Sequence, residues 1–165
     1  MILISILVAL IGLSRLEGCM TANVDKAGAL LYKTNASPLS VRIEKSTGDR
    51  VTLTFALVTS GIVAKYKVKV YSEIDVTGKC TSLGNVYNPY GENLSEPYTG
   101  DAGDISVEAN AINPSSLTNV RMELNGYKSI LGRSIVLVNT VTGSIDYCGA
   151  IGRLFTQHFR HATFK

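Results

Sequence analysis

The chain has 165 residues, with 16 Lys and Arg against 13 Asp and Glu, a formal charge of +3, three Cys, two His and no Trp. That length suits one ordinary domain with a sizeable core. The surplus charge sits in Arg153, Arg160 and Lys165, so the body is formally neutral, which excludes a basic nucleic-acid-binding domain.

Residues 1–13 are almost wholly apolar, and Ser14, Arg15, Leu16, Glu17 and Gly18 follow them. The run falls short of the roughly 20 residues that span a bilayer and reads as a secretory signal peptide over residues 1–18. Cleavage after Gly18 makes Cys19 the first mature residue. An uncleaved anchor, or a lipid anchor on Cys19 in a bacterium, is the alternative. The expected mature chain is secreted and has no transmembrane segment. It consists of one domain over residues 19–152 and a basic tail over 153–165.

The body reads as all-β. Val41 to Ile43 is a short strand candidate, and Asp49 to Val58 places Val51, Leu53, Phe55 and Leu57 on one face. Val63 to Tyr71 alternates more sharply, with Tyr66, Val68 and Val70 on one face and Lys65, Lys67, Lys69 and Tyr71 on the other. An irregular stretch rich in Gly, Pro, Asn and Asp fills Asn85 to Asp104. Weaker strand candidates follow at Ile105 to Ala109 and Val120 to Leu124. Ser134 to Val138 is nearly continuous in apolar residues, as in a strand covered on both sides. Turn chemistry at Ser46 to Asp49, Ser60-Gly61, Asn125-Gly126 and Thr142 to Ser144 separates these elements. The spacing predicts a β-sandwich or barrel of about eight strands. Asn35-Ala36-Ser37 and Asn93-Leu94-Ser95 are N-glycosylation sequons, Asn93 being the better candidate because Pro38 follows the first. In the tail, Phe155 and Phe159 stand four apart with His158, Arg160 and His161 interleaved. The tail reads as a frayed terminus, or as a short amphipathic helix that touches an acidic partner or membrane headgroups.

Three segments carry a resemblance. They are CTSLGNVYNPY from Cys80, LNGYKSILGRSIVLVN from Leu124 to Asn139, and DYCGAIG from Asp146 to Gly152. Together they resemble the copper/zinc superoxide dismutases. The resemblance implies a flattened Greek-key β-barrel with two functional loops and a disulfide between Cys80 and Cys148. It leaves Cys19 over, for an intermolecular bond or no role.

The resemblance also places the metal site, and there the imidazoles are gone. Lys69-Val70-Tyr71 stands where the family has His-Val-His, Val86 where it has the bridging histidine, and Asn139 at the remaining copper histidine. Copper takes imidazole nitrogens in a tetragonal arrangement, a protonated lysine has no lone pair to give, and valine has no donor. Tyr98 stands at a zinc histidine. Asp101, in Thr99 to Asp104, keeps the zinc aspartate and reads as a loop-ordering side chain. Ile145 stands where the family has an arginine that guides superoxide.

These residues predict a non-catalytic, disulfide-stapled binding or structural scaffold with no cofactor. The alternative is a dismutase or metal carrier, with copper and zinc held by a rearranged set such as His158, His161, Asp101 and Cys19. The expected partner is a protein or an anion at the lysine row. A homodimer is the further possibility, through Gly132-Arg133-Ser134 and Gly149 to Gly152, which resemble segments near the family's dimer contact.

Overall fold

The computed structural model describes residues 23–33, 36–56, 64–75, 77–94, 98–107 and 115–154. The expected signal peptide, Cys19, Asn35 and the tail beyond Leu154 lie outside these. Among the described residues, nine strands run in chain order: β1 (Lys26–Leu31), β2 (Leu39–Lys45), β3 (Arg50–Ala56), β4 (Ala64–Tyr71), β5 (Asp101–Val107), β6 (Ser115–Arg121), β7 (Ser134–Asn139), β8 (Ile145–Ala150) and β9 (Gly152–Arg153). They form a five-stranded sheet, β6-β3-β2-β1-β9, and a four-stranded sheet, β5-β4-β7-β8, antiparallel throughout. The chain changes sheets four times, between β3 and β4, β5 and β6, β6 and β7, and β8 and β9. This is the all-β sandwich that the strand rhythm predicts, in the Greek-key form that the resemblance implies.

Period-two patterning builds the core. Val51, Leu53 and Phe55 of β3 and Tyr66, Val68 and Val70 of β4 point inward, and each is buried. In β7, Ser134, Ile135, Val136 and Leu137 are all fully buried. Ile135 and Leu137 enter the space between the sheets, whereas Val136 joins an outer cluster with Leu83 and Cys148. That outer cluster covers the second face of β7, so the continuous apolar run has a physical reason.

Strand boundaries depart from expectation in several places. β5 begins at Asp101, ahead of the expected Ile105 and inside the stretch expected to be irregular, because its pairing with β4 runs on past Gly103 to set Asp101 opposite Lys69. β6 begins at Ser115 and ends at Arg121, ahead of the predicted Val120 to Leu124. Met122 and Leu124 remain buried but leave the ladder, because the Met122 N–H turns to the Asp49 carbonyl, 2.9 Å away. β1 escapes a hydrophobic pattern because two of its inward residues are the small Ala27 and Ala29. β8 escapes because a register shift opposite Leu137 and Val138 inserts Asp146 as a bulged residue and breaks its alternation.

The two sheets meet along β1 and β8, where Tyr32 and Cys148 exchange backbone hydrogen bonds of 2.8 and 3.2 Å. Beside this seam, the Cys80–Cys148 disulfide holds the segment after β4 against β8. Asp75 folds that segment: its carboxylate accepts from Thr77 N–H at 2.7 Å, Thr77 Oγ1–H at 2.6 Å and Thr81 N–H at 2.8 Å.

Candidate functional site

Antiparallel partners directly opposite one another share a face, so register decides which side chains meet. Lys69 lies opposite Val136, Tyr71 opposite Ser134, and Lys67 opposite Val138. An isolated bridge pairs Tyr71 with Val86. Lys69, Tyr71, Val86 and Val138 therefore occupy one outer face of the four-stranded sheet, next to the disulfide. Tyr71, Val138 and Ile145 pack on the outer cluster there.

Asn139 does not join them. It pairs with Tyr66, whose ring points into the core, and so lies on the opposite face. The expectation that Asn139 stands beside Lys69, Tyr71 and Val86 is corrected by one residue: Val138 takes that place. The Asn139 carboxamide instead caps the β7–β8 turn, accepting from the Val141 N–H at 2.9 Å and the Thr142 N–H at 3.2 Å.

The lysine row faces acids across β5. Lys69 lies opposite Asp101 and Lys67 opposite Asp104, while Lys65 lies opposite Ser106. The Lys69 ammonium sits 6.0 Å from the centre of the buried Tyr98 ring. Burial pushes the Tyr98 phenol up from its ordinary value, and the charge of Asp101 adds to this. Asp101 Oδ1 accepts the Gly103 N–H at 3.2 Å. Asn93, the sequon asparagine in the neighbouring loop, is exposed.

The loop that runs from Val86 to Asp101 is held by protein groups. Glu92 Oε2 accepts both the N–H and the hydroxyl of Thr99, at 2.9 and 2.7 Å, and Oε1 accepts from Arg121 Nη1 at 2.5 Å. Those hydrogen bonds from Thr99 are the main reason the Glu92 carboxyl lies below its ordinary value, and Arg121 adds to it. Arg121 reaches on to Asp49 at 3.2 Å and stacks 4.3 Å from the Tyr90 ring centre, while Tyr90 donates its hydroxyl to Glu123. Sequence reasoning missed Glu92. Its only signal was an acid placed mid-loop, where a partner on a distant strand cannot be read from spacing.

A second polar cluster closes the far end of the core. The Asp146 bulge turns its carboxylate inward, where Oδ2 accepts from Lys33 Nζ at 3.0 Å, Tyr66 Oη at 3.2 Å and Asn139 Nδ2 at 3.3 Å. Burial works to raise the Asp146 carboxyl, but the hydrogen bonds from Lys33 and Asn139 and the Lys33 charge outweigh it, and the net direction is down. The Tyr66 phenol is pushed up to about 12, first by burial and then by the Asp146 charge. A carboxyl held below its ordinary 3.8 contributes stability that is complete above that pH and is lost as pH falls through the depressed value. Asp146→Asn is expected to cost about 1–2 kcal/mol at neutral pH and to flatten the stability profile below about pH 4. Urea titrations of both proteins from pH 2 to pH 7 check this, and parallel profiles would contradict it.

Among the described residues, no three His, Cys, Asp or Glu side chains converge to hold a metal ion. No described helix is long and apolar enough to cross a membrane.

No family model matches the chain. It is 31% identical to a copper/zinc superoxide dismutase of Kluyveromyces lactis over 59% of this chain and 66% of that enzyme. It is 37% identical to one of Candida albicans over 44% of this chain and 49% of that enzyme. The match thus spans between about half and two thirds of these relatives, and it marks distant homology to copper/zinc superoxide dismutases. Among solved structures, the clock protein EA4 superposes with a TM-score of 0.65 at 21% identity, over 80% of this chain and 96% of that one, a likeness of fold.

Proposed function

We propose that this chain is a secreted, non-catalytic relative of the copper/zinc superoxide dismutases, a disulfide-stapled scaffold that binds a protein partner. The observation that carries this reading is the face formed by Lys69, Tyr71, Val86 and Val138. An ammonium, a phenol and two sets of methyl groups do not fit copper, which takes imidazole nitrogens, and the lone Asp101 carboxylate does not make a zinc site. Glu92 supports the same reading, because it ties the loop to β6 with no ion required. The partner is a protein more than a polyanion, since Asp101 and Asp104 stand opposite Lys69 and Lys67 and make the strip one of mixed charge.

A histidine graft tests this and the register together. The native chain, offered copper and zinc, is expected to scavenge superoxide no faster than the unbound metal. The K69H/Y71H/V86H/V138H variant is expected to gain copper affinity visible in its d–d absorption. The same graft with N139H in place of V138H is expected to bind at least about tenfold more weakly, because that imidazole starts from the opposite face. Dismutation by the native chain would overturn the proposal.

A further inference from the structure

The outer face of the five-stranded sheet holds a groove of about 1050 Å³. Two cross-strand rows make its floor: Gly28, Arg42 and Thr54 in one, and Leu30, Ser40 and Ala56 in the other. Most of these side chains are small, which is why the face is hollow. Arg42 turns its guanidinium aside to Glu44, 2.8 Å away. Leu30 and Tyr32 are left 52% and 47% exposed at the floor and one wall. Apolar side chains lining a hollow of this size favour an apolar occupant.

The far wall shows which occupant. Leu154, 48% exposed, is the last described residue, and its N–H donates to the Lys26 carbonyl at 3.3 Å. Its methyl groups lie 3.2 and 3.3 Å from the point where a Cβ on Gly28 would stand. The chain thus crosses the sheet edge at β9 and sets its first apolar side chain on the groove floor.

We propose that the groove seats the chain's own C-terminal segment, residues 155–165, with Phe155 and Phe159 as its anchors. Eleven residues follow Leu154, and extended they reach up to about 36 Å. The distance from β9 across β1 and β2 to β3 is about 15 Å at the usual strand spacing. Phe155 and Phe159 share one face whether the segment is extended or helical, because a spacing of four suits both periods. Seated this way, the segment covers an apolar face that would otherwise be open to a second copy of the chain or to a foreign apolar peptide.

The absence of tryptophan makes the test direct. In full-length F159W, the single indole is expected to emit at a blue-shifted wavelength and to be quenched by iodide several-fold less than in a peptide of residues 154–165 carrying the same substitution. Adding L30D, or separately T54R, is expected to return both readings to those of the peptide. Leu30 and Thr54 point away from the core, and far-UV circular dichroism confirms that each variant keeps its fold. Peptide-like emission in F159W alone would overturn the proposal, as would burial that survives both groove substitutions. Burial that grows with protein concentration, together with a dimer in sedimentation, would also overturn it by placing a second copy in the groove.

Discussion

Replacing Cys80 and Cys148 together by alanine is expected to lower stability by about 4 kcal/mol. The two cysteines are 68 residues apart, and in the loop-entropy account opening a loop of that length returns about this much freedom to the unfolded chain. The native structure should persist, because the bridged segment has other ties. Asp75 holds Thr77 and Thr81, and its own N–H donates to Ser134 Oγ at 2.9 Å. Cys148 is fully buried beside Leu83 and Val136, so the double variant also loses some packing in the outer cluster. Urea unfolding of both proteins at one pH measures the difference. A loss under about 1 kcal/mol would show that the bridge adds little beyond local order.

Gly149→Ala is expected to cost more than about 3 kcal/mol, or to leave no stable fold. Gly149 lies on β8 where the four-stranded sheet presses against β1. A Cβ there would stand 2.0 Å from the Leu30 carbonyl oxygen and 2.8 Å from its carbon. Both contacts are backbone, so no side-chain rotation relieves them; β1 and β8 would have to move apart. That movement would break the paired Tyr32 and Cys148 hydrogen bonds next to it. Gly100 is a parallel case, since its Cβ would meet the Tyr87 carbonyl oxygen at 2.1 Å. Thermal unfolding of Gly149→Ala beside Gly143→Ala, where a Cβ meets nothing within 4 Å but φ is +71°, separates close approach from the cost of a left-handed residue. Equal losses in the two would contradict the argument.

Much of the fold was legible because alternation and burial coincide. β3 and β4 read directly from Val51, Leu53 and Phe55 and from Tyr66, Val68 and Val70. β1 and β8 were missed where alanines and a bulge remove that signal. At the site, residue types were legible but placement was not. Asn139 and Val138 are neighbours in the chain on opposite faces of one strand, and only the pairing of Tyr66 with Asn139 separates them. Glu92, Arg121 and Asp49 come from a loop and from strands and turns far apart in the chain, so their meeting depends on the β3–β6 pairing. The groove has no sequence signature at all, since it arises where two rows, Gly28, Arg42 and Thr54 beside Leu30, Ser40 and Ala56, line up across three strands.

The barrel and its long loop are expected to hold together on protein contacts alone. The most direct test measures bound copper and zinc by mass spectrometry on the purified full chain after exposure to both, alongside urea unfolding with and without EDTA. The expected result is no stoichiometric metal and one unfolding midpoint in every condition. Stoichiometric copper or zinc, with a midpoint that EDTA lowers, would contradict it; a metal present at 100 times its Kd would add about 2.7 kcal/mol, well within the reach of the measurement.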